Sequence, residues 1–409
     1  MADEQNSMAW LPFSIVEASL SGSADDKEQG LEQAWSHLLE RLKTAAQVVE
    51  SDEVTGNKLD LAAGMRHLLV LLAAGIDLAL RVDPDPILSI QPNGVDDSIT
   101  WGMECPDGFY TGAAMRGGET YRLFGNRGTA RYVGLQTMNG IASTANALVD
   151  ELQVDDSGNF EVILSAEKHS GNWMPLDGDH PTLIIRHFFY DWETEVPSSL
   201  QIERIGASVE ANDRSVDLAV AVSRQLVALG DFVHDNTKFF LAFGAAPPVN
   251  GFLPGIDRSS MGAAAENRPV IGRWALAPDE ALILDVKPPE GVYWSYSLGN
   301  PWWETIHYGR HQSSLNAHQA VVDSDGLVRV VVSGRDPGVA NWLDTAGHSN
   351  GAMILRCVRT ESAPTPNATV VKFDDIASAL PVDTTIVTPT ERKAVLAARK
   401  RAVHKRFAR

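Results

Sequence analysis

The stretch GVANWLDTAGHSNGAMILRCV, residues 338–358, decides how this chain folds, because it places an Asn-Trp pair, an Asp and a His just before an apolar run. The run AMILRCV (352–358) is typical of a buried β-strand. An indole buries a large apolar surface, and an Asn side chain can hydrogen-bond a bending backbone. We therefore interpret Asn341-Trp342 as a structural corner, which leaves Asp344 and His348 unexplained.

The same motif occurs earlier in the chain. Residues 156–188, DSGNFEVILSAEKHSGNWMPLDGDHPTLIIRHF, align with residues 324–358, and Asn172-Trp173 then matches Asn341-Trp342. A period of about 168 residues is too long for a solenoid and fits two related β halves. Each copy is predicted to be a hairpin with an Asp/Gly turn, a loop, an Asn-Trp corner and a further strand.

These patterns predict a mainly β protein with added helices, built from two β-sandwich or jelly-roll halves related by an internal repeat. Apolar residues at three- and four-residue spacing predict helices at 31–49, 58–82 and 209–235. The expected organisation is an N-terminal helical segment (1–84), a first β half (85–206), a helix with a Pro/Gly-rich connection (207–270), a second β half (271–360) and a C-terminal segment with a basic helical tail (361–409).

Composition limits the function classes. The formal net charge of −19 disfavours binding of nucleic acid, because phosphates would be repelled. The two cysteines, Cys105 and Cys357, lie far apart, which favours a reducing compartment over a disulfide framework. The N-terminal residues lack the basic and apolar regions of a signal peptide, and the apolar run 68–80 is short for a membrane span. A cytoplasmic location is therefore expected.

The C-terminal stretch is opposite in charge to the rest of the chain. Residues 391–409 carry eight Lys or Arg and one Glu, and their apolar residues fall roughly on one helical face. The favoured interpretation is that this tail docks on an acidic surface of its own chain or of a second subunit in a homo-oligomer. Contact with nucleic acid or a membrane surface is the less favoured alternative. We expect the tail to be separable from the fold, so that its removal leaves the melting temperature nearly unchanged.

Several separate motifs resemble one bacterial family, the domain of unknown function 1214. They are YRLFGNRGTARYVGLQT (121–137), GNWMPLDGD (171–179), YWSYSLGNPWWE (293–304) and RDPGVANWLDTAGH (335–348). The resemblance covers about residues 85–360 and is strongest over 290–358. It implies a β-sandwich or jelly-roll fold, and it implies no established activity and no catalytic residue.

The candidate site lies between residues 300 and 348. On a strand predicted over 314–322, Asn316 and His318 share one face, and the next hairpin would bring them close to the corner loop. A His held by a carboxylate is the usual form of a general acid or base. The predicted catalytic residues are His318, His348, Asp344 and Asp336, and the predicted substrate-binding residues are Trp302, Trp303, Asn316, Arg335 and His311.

The leading functional interpretation is a cofactor-independent enzyme that performs hydrolase- or lyase-type acid–base chemistry on a small organic molecule. A metal is not expected, because His311, His318 and His348 lack metal-binding spacing, and the sequence has no GxSxG, Walker or GxGxxG motif. The first alternative is a non-catalytic carbohydrate- or lipid-binding module with aromatic faces. The second is a structural or assembly protein that uses its basic tail. The expected partner is a small-molecule ligand, and neither nucleic acid nor a membrane is expected.

Overall fold

The described part of the chain folds into four β-sheets with helices before, between and after them. The computed structural model describes residues 30–51, 58–81, 91–92, 98–140, 142–206, 218–255, 264 and 266–407. The helices are α1 (Leu31–Val49), α2 (Lys58–Arg81), α3 (Leu218–Ala245), α4 (Ile376–Ala379) and α5 (Pro389–Phe407). The strands before α3 are β1 (Gln91–Pro92), β2 (Gly108–Ala114), β3 (Tyr121–Asn126), β4 (Tyr132–Asn139), β5 (Ala142–Leu148), β6 (Asn159–Ser165), β7 (Trp173–Pro175), β8 (Pro181–Phe188) and β9 (Ser199–Arg204). The strands after α3 are β10 (Gly251–Phe252), β11 (Val270–Ala275), β12 (Glu280–Val286), β13 (Gly291–Gly299), β14 (Ser314–Asn316), β15 (Val328–Ser333), β16 (Trp342–Asp344), β17 (Asn350–Thr360) and β18 (Asn367–Lys372).

The two halves have the same strand order. Sheet 1 runs β1-β2-β8-β4-β5 and sheet 2 runs β7-β6-β3-β9, while sheet 3 runs β10-β11-β17-β13-β14 and sheet 4 runs β16-β15-β12-β18. Each strand of sheets 3 and 4 is therefore nine places after the strand that holds the same position in sheets 1 and 2. β10 and β18 belong to the second half although both lie outside the range 271–360 expected for it.

Each half is a sandwich with its own apolar core. Val133 and Ile185 of sheet 1 pack with Leu123 and Val162 of sheet 2. The equivalent core of the second half lies between sheets 3 and 4 and includes Trp294, Leu355, Leu284 and Val330. Period-2 alternation explains this, because one set of side chains on each strand faces the partner sheet. The prediction of a mainly β, sandwich-like protein with an N-terminal helical segment is confirmed.

The two Asn-Trp corners are built in the same way. Trp173 and Trp342 each begin a short strand that pairs in parallel with the preceding strand. The indole nitrogen of Trp173 donates to Ser165 Oγ at 3.0 Å, and that of Trp342 donates to Ser333 Oγ at 3.1 Å. Trp342 is buried and Trp173 is half-buried. The second corner is therefore the more deeply packed of the two.

The asparagine side chains hold the chain at both corners. Asn172 accepts from the backbone N–H of Gln153 at 2.8 Å and donates to its carbonyl at 2.9 Å. Asn341 makes the same two bonds with Val321, at 2.8 and 2.7 Å. A side-chain amide thus imitates a strand partner where the backbone turns. The pair is a structural corner, as the sequence predicts.

The helices α1, α2 and α3 pack together around Leu38, Leu71 and Phe232. The bounds of α1 and α2 agree with the predicted helices. α3 continues past the predicted end at 235, because Phe240 and Phe243 extend its apolar face against the ring of Trp303. By length and composition α2 could cross a membrane, a test that the core helix of a soluble protein also passes.

The two halves meet at a buried seam between sheets 1 and 3. The Phe188 ring stacks on Tyr132 at 5.1 Å and on Tyr293 at 4.8 Å between ring centroids. Asp107, fully buried, accepts hydrogen bonds across the seam from the Tyr293 hydroxyl at 2.5 Å and from Asn316 Nδ2 at 2.8 Å. Separating the two halves would leave the buried Asp107 carboxyl without these donors, at a large cost in free energy. The seam therefore holds the halves together.

The basic tail forms α5, which lies along the body and contacts both halves. Arg392, Arg399 and Arg406 recur every seven residues and so share one helical face. Arg392 pairs with Asp336 at 3.0 Å, Arg399 donates to the Tyr308 carbonyl at 2.9 Å, and Arg406 donates to the Pro106 carbonyl at 2.7 Å.

Apolar residues of the same helix are buried. Ala402 and Val403 belong to the core of the first half, and Phe407 packs beside them. The ring of Trp192 lies 4.5 Å below the Arg399 guanidinium. The cations thus face carbonyls and aromatic rings more than acidic side chains. This packing opposes the expectation that the tail is separable from the fold, because removal of the tail would uncover these groups.

Candidate functional site

A buried carboxylate holds the imidazole of His348. Nδ1 of His348 lies 2.7 Å from Oδ1 of Asp60, which is fully buried in the first turn of α2. The Trp302 indole donates to the backbone carbonyl of Asp60 at 2.8 Å and fixes that turn. Because a carboxylate accepts, Nδ1 carries the proton and Nε2 is the basic nitrogen. Among the described residues none hydrogen-bonds Nε2.

A tight turn sets the position of His348. The amide of His348 donates to the Thr345 carbonyl at 3.0 Å, and Ala346 and Gly347 between them have φ of 53° and 87°. Two successive positive φ angles define a type I′ turn. Gly347 adopts this region freely, whereas Ala346 does so at a cost of about 1 kcal/mol. Asp344 offsets part of this cost by accepting the Ala346 amide at 2.8 Å.

A cavity of about 860 Å³ is lined by residues that neighbour this pair in the chain, although neither His348 nor Asp60 is itself among the lining residues. It lies between the C-terminal ends of α1 and α3 and the start of β17. Its wall includes Ser349, the residue after His348, and Pro301, the residue before Trp302. Both chain segments that hold the His348–Asp60 pair therefore continue directly into the cavity wall. A volume of this size suits a small organic ligand.

The cavity is cationic although the protein is acidic. Lys238 and Arg273 line it, and no Asp or Glu is found among its described lining residues. Arg273 also donates to the carbonyl of Ala245, at the C-terminal end of α3, at 3.3 Å. Asn350 supplies an amide, and Leu241 belongs to an apolar wall. The charge of this lining is therefore opposite in sign to the net charge of −19 of the whole chain.

Comparison with known families gives an assignment for the C-terminal part of the chain. The model of the family described as protein of unknown function, DUF1214, matches residues 280–362. The resemblance predicted from the sequence motifs is confirmed over this range. His348 and the strand that follows it are part of the DUF1214 region, whereas Asp60 and Lys238 lie outside it.

The fold has relatives among solved structures. A crystal structure of an uncharacterised protein from Burkholderia cenocepacia is 29% identical, with a TM-score of 0.78, and the match covers 84% of this chain and 98% of that chain. The VPA0106 protein from Vibrio parahaemolyticus is 10% identical, with a TM-score of 0.44, over 81% of this chain and 100% of that chain. A comparison with curated proteins finds no similar protein. The likeness to the Burkholderia protein extends well beyond the DUF1214 region.

The predicted catalytic residues have different partners from those expected. His348 pairs with Asp60 and not with Asp344 or Asp336. Asp344 instead binds His311 Nδ1 at 2.8 Å, and Asp336 pairs with Arg392 of α5. These carboxylates are used by other cations of the chain, so they do not orient His348.

The prediction of a strand over 314–322 is wrong, because the observed strand is shorter. His318 therefore lies outside it. β14 ends at Asn316, because the Asn316 side chain accepts the backbone amides of His318 and Gln319 at 3.0 and 3.1 Å and turns the chain. His318 therefore lies in a turn and does not share a strand face with Asn316. Hydrogen bonds from the Thr194 side chain and the Glu193 backbone lower the pKa of Asp191 in the first half, and the nearby His318 contributes less to this lowering.

The predicted substrate-binding residues are occupied by protein contacts. Trp302 is buried in the helical core, and Trp303 is buried against α3, so neither forms a wall open to a ligand. Asn316 is fully buried at the seam. The Arg335 guanidinium lies 3.8 Å from the centre of the Phe373 ring. The aromatic wall predicted at Trp302 and Trp303 is thus part of the core, because their rings complete the packing of α2 and α3.

Three residues of the site were missed from sequence alone. Asp60 stands at the start of an apolar helix, where an acid in the first turn is also ordinary for capping. Lys238 and Arg273 lie in segments whose sequence pattern predicts only a helix or a strand and no site. No sequence signal separates Asp60 from an ordinary acid in a first helical turn, because its burial depends on how α2 packs.

Proposed function

We propose that this protein is a cofactor-independent enzyme that performs acid–base chemistry, of the hydrolase or lyase type, on a small organic anion. The His348–Asp60 pair carries the proposal. Asp60 fixes the tautomer and orientation of the ring, so Nε2 exchanges a proton with the ligand. A positioned base of this kind contributes roughly 10²–10⁴-fold to the rate.

The cavity supports the choice of an anionic ligand. Lys238 and Arg273 supply positive charge, and Arg273 has the planar geometry that binds carboxylates in two-point fashion. Ser349 and Asn350, the two residues after His348, offer hydrogen bonds in the cavity wall. The apolar wall at Leu241 then suits the hydrocarbon part of the molecule.

A reaction screen tests the proposal without a known substrate. The protein is incubated in D₂O with a panel of small carboxylic acids, oxo acids and their esters, and proton NMR follows hydrolysis, elimination and exchange of C–H protons. We expect turnover of at least one compound by the wild-type protein. His348→Gln should lower that rate roughly 10²–10⁴-fold, and Asp60→Asn should lower it and shift its pH profile.

His37→Gln is the matched control. His37 also pairs with a carboxylate, Asp231, at 2.9 Å, but it lies on α1, whereas the residue that follows His348 lines the cavity. His37→Gln should leave the rate unchanged, and thermal unfolding should show that all three variants fold. Equal rates for His348→Gln and His37→Gln would contradict the catalytic role. Ligand binding without turnover, unaffected by either change, would favour the non-catalytic binding module instead.

A further inference from the structure

A second group of polar side chains is buried at the seam, away from the cavity. Glu104 precedes β2, Ser295 and Ser297 lie on one face of β13, and Arg356 lies on β17 directly opposite Ser295. We call these four residues the Glu104 cluster. Nη2 of Arg356 donates to the Met103 carbonyl at 2.9 Å, which brings the guanidinium next to Glu104.

Five polar atoms of the Glu104 cluster are buried without a partner. They are both carboxylate oxygens of Glu104, the hydroxyls of Ser295 and Ser297, and Nη1 of Arg356, and none of them hydrogen-bonds a described residue. Each unpaired buried group costs about 1–3 kcal/mol. Native proteins rarely keep several such groups together unless something satisfies them.

The surroundings favour a neutral Glu104 beside a cationic Arg356. Burial raises the pKa of Glu104 to about 8 and outweighs the nearby Thr305 side chain and the Glu104 backbone, which lower it; the charge of Glu304 raises it, and that of Arg356 lowers it. Glu304 is itself faced by His67 at 3.3 Å and Arg66 at 3.5 Å. Below this pKa the Glu104 carboxyl carries a proton and is a hydrogen-bond donor.

The backbone before Glu104 is strained. Met103 has a φ of 51°, and its amide donates to the carbonyl of Trp303, whose φ is 61°. Positive φ at two bulky residues in contact costs of order 1–3 kcal/mol each, and such strain persists where the surroundings fix a functional geometry. Both residues directly precede a buried glutamate, Glu104 or Glu304.

We propose that the Glu104 cluster is a binding site for the carboxylate group of a small organic acid, distinct from the cavity at His348. The cluster offers four donors, namely Arg356 Nη1, the two serine hydroxyls and the protonated Glu104 carboxyl. A carboxylate has about four acceptor positions on its two oxygens, so the numbers match. The positive charge of Arg356 balances that of the anion, and no covalent step is involved.

Isothermal titration calorimetry with sodium acetate tests this site. We expect binding at pH 7 that weakens about tenfold for each pH unit above the pKa of Glu104, because only the protonated carboxyl donates. At pH 9, binding should take up about one proton, measured in buffers of different ionisation enthalpy. Glu104→Gln should keep binding but lose both the proton uptake and the pH dependence, since Gln still donates.

The variants separate this site from the proposed catalytic one. Arg356→Met should abolish acetate binding, and if it fails to fold, the double change Ser295→Ala and Ser297→Ala should weaken binding at least tenfold. His348→Gln should bind acetate as the wild type does, whatever its effect on turnover. Absence of acetate binding, affinity unchanged by loss of the serine hydroxyls, or equal affinity for chloride would each overturn the assignment.

Discussion

At the scale of single residues, Glu104 links structure to pH. Its pKa is about 8 in the folded protein because burial disfavours the charged form, against 4.5 for an ordinary glutamate. Between these two values the folded state therefore binds more protons than the unfolded state. The stability that Glu104 contributes is fully present below about pH 4.5 and is lost as the pH rises to about 8.

The variant Glu104→Gln should remove this dependence. The free energy of unfolding of the wild type, measured by urea at pH 5 to 9, should fall relative to the variant by a few kcal/mol over that range. Asp325→Asn, at an exposed turn, serves as a control for general charge effects. A constant difference between wild type and Glu104→Gln across this range would mean that Glu104 titrates normally.

The two corner tryptophans provide a second test at this scale. Trp342 is buried behind sheet 4, and the Arg392 guanidinium lies 5.0 Å from its ring. Trp342→Ala should cost about 3–5 kcal/mol, because a large buried side chain is lost. Trp173→Ala should cost less, since the equivalent ring is half-buried. Chemical denaturation of both variants measures the difference, and equal losses would contradict the burial argument.

At the scale of elements, α5 behaves as a structural part. Val403 is buried in the core of the first half, whereas Lys400, on the same helix, is exposed. Val403→Asp should lower the free energy of unfolding by several kcal/mol, because it buries an unpaired charge. Lys400→Asp should change it by less than about 0.5 kcal/mol. Thermal unfolding compares the two, and similar melting temperatures would show that α5 is detachable after all.

Elements were predictable from sequence where the pattern was local. The helices at 31–49 and 58–82 and the two Asn-Trp corners follow from periodicity and from the chemistry of one dipeptide. The end of β14 could not be predicted in this way. The Asn316 side chain accepts two backbone amides and turns the chain, although the alternating pattern of apolar residues continues. The residue pairs of the candidate site are separated by even longer stretches of sequence. His348 and Asp60 are 288 residues apart, so the residues around His348 could not reveal its partner.

At the scale of the whole molecule, the seam makes the halves one folding unit. Asp107 receives donors from both halves, and α5 contacts both. We expect a single calorimetric transition whose measured enthalpy equals the van't Hoff enthalpy. Two separate transitions would show that the seam contributes little and that each sandwich unfolds independently.

The contact between Arg406 and Pro106 has a consequence for synthesis in the cell. The two residues are 300 positions apart in the chain. At roughly 5–20 residues per second, a ribosome needs on the order of 15–60 s to make the chain between them. During that interval the ring faces of Phe189 and Trp192, which Arg406 later covers, have emerged and await their partner. The nascent first sandwich therefore leaves these two aromatic rings without their Arg406 contact until α5 has been synthesised.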